Sequence, residues 1–421
     1  YITSPVTILF RCVNYRKMVR STLSAIESHT RQIETTETVR YAVIGLGWWA
    51  TEMALPALTA ADNATVTTLV AEENINTDTQ ELARRYGADT TMTSEQFLSL
   101  ETDTGEQHNL IDSTSSSSSS SGNESDKPAN NSIIDTDVYD AVYIATPNAA
   151  HLPYARIAAA QEKAVLCEKP IEANVERGNK LRTHCQQANV PLMIAYRVQM
   201  HPLVKYAREL IDQGDIGDVT VIQSHHTQPL LKMHPDTNQW RLDPAQTGYG
   251  TAIMDLGVYT INTARFLLDA DPIAVSAVTL ADTPGFEAVP DDRAAAILSF
   301  PDGVQLVANT TQRGQHGSGM KIIGTQGSLD LQGIFRGQCS LTVAAGDIEG
   351  TFEHTQFTLH DEMTAVFEYF ADCLLTDKSV SPDGAEAIAD LSVMRAMYAD
   401  GDGNGNDGGS ANHAVSYPEF V

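Results

Sequence analysis

Tyr41-Ala42-Val43-Ile44-Gly45-Leu46-Gly47-Trp48-Trp49-Ala50 runs from a short apolar stretch through two glycines into a helical pattern over Ala50–Ala60. Strand, G-x-G-x-x-A turn and helix in that order make a dinucleotide-binding corner. Gly45 permits the tight turn, Gly47 lets the backbone approach a pyrophosphate, and Ala50 lets helix and strand pack closely. The free N–H groups of the helix start face the phosphates. Trp48 and Trp49 are bulky for such a loop; they either pack at the helix start or shield the cofactor. Val66–Val70 reads as a second strand, and Glu72 beyond it stands 25 residues after Gly47. That is close to where an acid takes the ribose hydroxyls of NAD. A carboxylate there repels the 2′-phosphate of NADP, no Arg or Lys is adjacent, and Arg84 and Arg85 lie a helix away.

Outward from this corner, Thr79–Tyr86 reads as a helix closed by Gly87, and Asp140–Ala145 as a strand ended by Thr146-Pro147-Asn148. Helices Ala149–Gln161 and Asn174–Ala188 alternate with strands Ala164–Cys167 and Pro191–Ala195. This alternation predicts an α/β domain with a Rossmann-type doubly wound parallel sheet over residues 39–198. Its serine-rich insertion, residues 102–134, reads as a disordered surface loop. Over residues 199–399 helices Pro202–Gln213 and Met254–Leu268 precede a series of short strands between Ile273 and Ala344. The pattern predicts a second, α+β domain with a mostly antiparallel open sheet, for substrate and oligomer contacts. Met363–Leu375 and Glu386–Met397 read as closing helices, and residues 400–421 as a mobile tail. Residues 1–38 read as a leader. Within it, residues 1–17 hold three bases and no acid and precede the first Met18, so they read as non-native.

The 421 residues carry 54 acids and 27 bases, a net charge of −27; without residues 1–17 the balance is 54 against 24, or −30. Such a surface repels nucleic acid and anionic membrane, both of which are bound through Lys and Arg. Apolar runs stay far short of the ~20 residues of a membrane span. Five scattered cysteines fit a reducing cytoplasm better than a disulfide framework. The acids are distributed, and only nine of the bases are lysines. At molar salt the Debye length is about 3 Å, so this self-repulsion costs little while solubility is kept. The expectation is a halophilic, cytoplasmic protein.

Chemistry-bearing residues cluster at strand ends. Thr146-Pro147-Asn148-Ala149-Ala150-His151 follows one strand, Cys167-Glu168-Lys169-Pro170 the next, and Ala195-Tyr196-Arg197 a third; Met254-Asp255-Leu256-Gly257-Val258-Tyr259 opens a long helix. Open α/β sheets bind ligands at the carboxyl ends of their strands. This set, extended by Gln239-Trp240-Arg241-Leu242, resembles the Gfo/Idh/MocA oxidoreductase family over roughly residues 38–400. The resemblance implies that Lys169 and Tyr259 are a catalytic pair with Asp255 beside them. Tyr stands at 259 where most of the wider family has His, which resembles the sugar-oxidising and dihydrodiol-oxidising branch. The implied reaction is oxidation of an aldose, D-xylose foremost, at its anomeric carbon to the lactone. The implied cofactor is NADP, whereas Glu72 alone favours NAD. Thr146, Pro147, Arg197, Trp240 and Arg241 match cofactor-contacting positions, and Tyr196 a sugar-binding one. Glu168 is either a cofactor contact or a partner of Lys169; His151 belongs to the nicotinamide pocket or is a satisfied strand-end histidine.

The physical account stands beside this. Oxidising an aldose needs a hydride acceptor and a base for the hydroxyl proton. A tyrosine phenol titrates near 10, so a base at neutral pH needs its anion stabilised by roughly 3–4 kcal/mol. A lysine ammonium ~4 Å away supplies about 4 kcal/mol at an effective dielectric near 20. Asp255 and Tyr259, four apart, share one helix face. His225 and His226 point to opposite faces of a strand, and no other histidine has ligand spacing, so no metal is expected. Two readings compete with the sugar dehydrogenase. One is a tight-cofactor, glucose–fructose-type or dihydrodiol-type oxidoreductase; the other is a non-catalytic cofactor-sensing regulator.

Overall fold

Val39–Ile44 (β1) is followed by a glycine turn because Gly45 takes φ +87°, where a Cβ would lie 2.8 Å from the Ala145 carbonyl oxygen. The computed structural model describes residues 37–72, 78–100, 136–336, 339–345, 348–353, 358–401 and 413–417. The insertion at 102–134, nearly all of the leader, and residues 402–412 and 418–421 of the tail therefore lie outside the described residues; within the tail expected to be mobile, His413–Ala414 instead pair with Val275 and Ala274 as a sheet edge. Beyond the turn a π-helical stretch, Ala50–Ala54, runs into α1 (Leu55–Ala60), and β2 (Ala64–Ala71) returns beside β1.

Helix α2 (Thr79–Tyr86) has the boundaries its sequence announces. The Asp78 carboxylate accepts the Glu81 N–H, and Gly87 closes it at φ +73°. Two elements are additions to the sequence reading: β3 (Thr90–Thr93) and α3 (Ser94–Ser99), the latter started by a Thr93–Gln96 capping box. The rest of the layer is β4 (Ala141–Ile144), α4 (His151–Ala160), β5 (Ala164–Cys167), α5 (Val175–Gln187) and β6 (Leu192–Ile194). The six strands are all parallel in the order β3-β2-β1-β4-β5-β6. This is the doubly wound dinucleotide-binding order. β4, β5 and β6 are buried at every position, as strands covered on both faces must be.

After α6 (Pro202–Asp212), β7 (Val219–Pro229) enters a second sheet, and α7 (Val258–Leu268) packs beneath it. The other strands are β8 (Ala274–Leu280), β9 (Arg293–Ser299), β10 (Gln305–Thr311), β11 (Arg313–Gly324), β12 (Gly327–Gln332), β13 (Ser340–Ala345), β14 (Ile348–Glu353) and β15 (His413–Ala414). Their order is β14-β13-β12-β11-β7-β10-β9-β8-β15, antiparallel except where β7 and β10 run parallel. Burial alternates along β9 and β10, leaving Ile297 and Val307 exposed on the face away from the core.

Helix α8 (Leu359–Leu375) belongs to the second half of the chain yet completes the first layer. Met363, Val366, Phe367 and Phe370 are buried among Tyr41, Val43, Leu55, Leu58 and Tyr143. The Phe367 ring meets Tyr41 and Tyr143 edge-on at 5.5 and 5.1 Å. Helix α9 (Gly384–Gly401) packs on β8 and α5.

Candidate active site

The ends of β5, β6, β7 and β10 and the start of α7 converge on one buried group of side chains. Lys169 follows β5. Its Nζ lies 3.1 Å from the Asp255 carbonyl oxygen and 3.3 Å from Asp255 Oδ1, and 4.7 Å from the centre of the Tyr259 ring. Burial pulls the Lys169 ammonium down, but Tyr259, Asp255 and Glu168 around it outweigh this and hold it above its ordinary value. Asp255 sits in a π-helical turn, Ile253–Gly257, that runs into α7. Its Oδ2 accepts from Arg241 Nε at 3.2 Å, Gln228 Nε2 at 3.2 Å and Gln312 Nε2 at 3.1 Å. Burial pushes this carboxyl up, yet Arg241, Lys169 and the amide donors overcome it and keep the group ionised. With both oxygens engaged, Asp255 holds Lys169 in place.

The start of that helix is itself anchored. The buried Asp291 carboxylate accepts the Thr251 N–H at 2.6 Å, the Ile253 N–H at 2.8 Å and the Tyr398 hydroxyl at 2.8 Å. These bonds satisfy helix-start donors that would otherwise be orphaned in the core.

Tyr259 is enclosed by His226 edge-on at 5.2 Å, Phe335 at 5.7 Å and the Arg197 guanidinium at 4.9 Å from its ring. Burial, then the Arg197 charge, pushes the His226 imidazole down to about 3, so it is neutral. Arg197 is buried. It pairs with Glu362 of α8, donates to the Phe335 carbonyl at 2.8 Å, and has Trp49 on another side at 5.8 Å.

At the glycine turn, Trp49 Nε1 donates to the Tyr143 hydroxyl and to Glu168 Oε1, both at 3.0 Å, and Tyr143 donates to the same carboxylate at 2.7 Å. Trp49 and Glu168 are thus bound to one another, while Trp48 is 54% exposed and reaches His234. Ala50 is fully buried against the sheet. A Cβ on Gly47 would meet nothing within 4 Å, so the space beside its backbone is open. Across the turn, Pro147 leads into a short helical turn and the buried Thr146 Oγ1 has no hydrogen-bond partner. Glu72 is exposed just past β2. An open glycine corner facing an unpartnered hydroxyl fits a dinucleotide.

Two sequence expectations resolve differently. His151 is fully buried between two backbone carbonyls, with Nδ1 3.1 Å from that of Ile171 and Nε2 3.0 Å from that of Thr146. The expected sugar contact Tyr196 is also buried, its hydroxyl without a hydrogen-bond partner and in the neighbourhood of Asp390 and Arg265. It lies with those residues instead of beside Lys169, because β6 turns its side chain into the core under α9. Trp240 carries the Arg241 guanidinium over its ring at 4.4 Å.

A family model described as the oxidoreductase family with an NAD-binding Rossmann fold matches residues 39–196, and one for the GFO/IDH/MocA C-terminal domain matches 204–330. The chain is 38% identical over 367 residues to "D-xylose 1-dehydrogenase [NADP(+)]" of Haloarcula marismortui, covering 87% of this chain and 92% of the relative. The chain belongs to the Gfo/Idh/MocA oxidoreductase family. A second D-xylose 1-dehydrogenase (NADP(+)), from Haloferax volcanii, is 27% identical and covers 62% of this Gfo/Idh/MocA chain and 78% of its own. The fold is shared with the aldose-aldose oxidoreductase of Caulobacter crescentus at a TM-score of 0.72 and 23% identity, over 87% of this chain and 98% of that one.

Sequence reasoning about this Gfo/Idh/MocA oxidoreductase missed Gln228, Gln312, His226, Phe335, Glu362 and Asp291. The amides carry no titration signal, and the others lie far in sequence from the residues they touch. Among the described residues no group of three or more His, Cys, Asp or Glu is gathered as a metal site, and no helix is long and apolar enough to cross a membrane.

Proposed function

We propose that this chain oxidises an aldose, D-xylose foremost, at the anomeric carbon to its lactone with NADP as hydride acceptor. The observation that carries the reading is the joint approach of Lys169, Asp255 and Tyr259 below the glycine corner. Gly45, Gly47, Ala50, Trp48, Trp49, Thr146 and Pro147 would hold the dinucleotide, with Glu72 at the adenosine ribose. A dinucleotide held there would supply the acceptor for the hydride of the anomeric carbon. Tyr259 takes the proton of the anomeric hydroxyl at its phenol oxygen. Lys169, held by Asp255, stabilises the negative charge that a phenolate base carries, and it donates to the anomeric oxygen as that becomes the lactone carbonyl, once Tyr259 has been protonated. Arg241, Gln228 and Gln312 fix Asp255 so that Lys169 does not reorient between these states.

The 38% identity to an NADP-dependent relative supports NADP over NAD. A carboxylate at Glu72 works against the 2′-phosphate, and high salt weakens that repulsion. The acidic balance supports a cytoplasm of high salt. Exposed Val278, Leu280, Ile297 and Val307 on the second sheet support a homo-oligomer, dimer or tetramer. The test is an aldose panel with NADP and NAD at several salt concentrations, alongside Tyr259→Phe. D-xylose with NADP is expected to give the highest kcat/KM, and Tyr259→Phe to bind cofactor normally and turn over at least 100-fold slower, roughly the worth of a positioned base. Near-normal turnover by Tyr259→Phe refutes the mechanism.

A further inference from the structure

The mechanism above needs one cation at Tyr259, and the structure supplies two. Lys169 Nζ stands 4.7 Å from the ring centre and the Arg197 guanidinium 4.9 Å. The two arrive from different strand ends, β5 and β6. Arg197 has been read as a cofactor contact on resemblance alone, yet two of its three nitrogens are committed elsewhere. One nitrogen meets Glu362, another the Phe335 carbonyl, and Nε is buried without a partner.

We propose that Arg197, held by Glu362, is a positioning residue that stabilises the negative charge of the Tyr259 base alongside Lys169. The inference rests on the reading of Tyr259 as the base. Every element packed against Tyr259 brings a charged or titratable group to be counted. Lys169 comes from β5, Arg197 from β6, His226 from β7, Arg336 from the segment after β12, Asp255 from its own helix, and Glu362 from α8 through Arg197. His226 is neutral and contributes no charge. Asp255 is engaged by Lys169, Arg241 and two amides. Burial pushes the Glu362 carboxyl up to about 7 against the pull of Arg197, and the guanidinium is the member of the pair that meets the Tyr259 ring. Lysine at 197 lacks the planar fork but keeps the charge.

The experiment follows the acidic limb of kcat/KM against pH for D-xylose, with cofactor Kd measured separately by fluorescence quenching of the tryptophans. The variants are Arg197→Met with Glu362→Met, Arg197→Lys, and Glu362→Gln. Removing both buried partners avoids stranding a lone charge. In the double variant the limb is expected to move up by about one pH unit or more, the scale set by a charge ~5 Å away at an effective dielectric near 20. Arg197→Lys stays within about half a unit of the parent by the same scale. In Glu362→Gln any opposing anion is gone while Arg197 remains, so the limb does not rise. An unmoved limb in the double variant, or a raised one in Glu362→Gln, overturns the inference. So does a cofactor Kd weakened by at least about tenfold with the limb in place, a loss on the scale of one binding contact. Tyr259→Phe is measured in parallel. If it stays active the base reading itself falls; if it is inactive while the limb does not move, only the role of Arg197 falls.

Discussion

Replacing Lys169 by Met removes the cation nearest the proposed base while keeping the length and volume of its stem. At 4.7 Å from the Tyr259 ring centre, a unit charge is worth about 3.5 kcal/mol at an effective dielectric near 20. Lost from the transition state, that amounts to a roughly 400-fold drop in kcat/KM. The fold has reason to survive. Asp255 Oδ2 retains Arg241, Gln228 and Gln312, so the buried carboxylate is not left unpaired. The assay is the initial rate of nicotinamide reduction with D-xylose, with thermal unfolding and cofactor binding recorded on the same preparation. A folded, cofactor-binding Lys169→Met enzyme with kcat/KM within about tenfold of the parent refutes the electrostatic account, since tenfold is only about 1.4 kcal/mol.

Four further outcomes follow from the geometry. Gly45→Ala, at φ +87° and 2.8 Å from the Ala145 oxygen, is expected to lower unfolding stability by about 1–3 kcal/mol. Gly47→Ala meets no protein atom within 4 Å, so it leaves the melting curve in place and weakens only cofactor binding. Glu72→Gln is expected to raise the NADP-to-NAD ratio of kcat/KM most at low salt, where repulsion of the 2′-phosphate is least screened; equal ratios at all salt concentrations count against the placement. His226 is held near pKa 3 by burial and then by Arg197, so the folded state loses stability as pH falls below the ordinary histidine value near 6.5. Between pH 7 and pH 5 the parent should lose about 2 kcal/mol relative to His226→Gln in denaturant titrations.

The parts of the fold that were readable are those with local chemical punctuation. Asp78 and Gly87 bound α2, and Ala164–Cys167 is an uninterrupted apolar run between polar ends. Thr90–Thr93 was not readable as a strand, since three threonines and one methionine give no apolar alternation. The π-helical turns at Ala50–Ala54 and Ile253–Gly257 left no trace, because an i→i+5 bond changes geometry and not composition. At the site, Lys169, Asp255 and Tyr259 were visible through their motifs. Their supports were not: Gln228 and Gln312 reach Asp255 from strands β7 and the end of β10, a juxtaposition set by the parallel pairing of those two strands. Arg197 was seen as a motif residue, but the side chain it pairs with lies 165 residues later.

That late partner bears on how the chain is made. The first layer cannot close on residues 39–196 alone, because Phe367 covers Tyr41 and Tyr143 and Asn63 Nδ2 donates to the Glu368 carbonyl at 3.0 Å. During synthesis the strands of that sheet leave the ribosome long before α8 does, with the apolar side of α1 and β1 still uncovered. The burial of that flank therefore comes late, when α8 docks and brings Glu362 to Arg197. A chain ending before residue 359 lacks the side chains that cover Tyr41, Leu55 and Leu58.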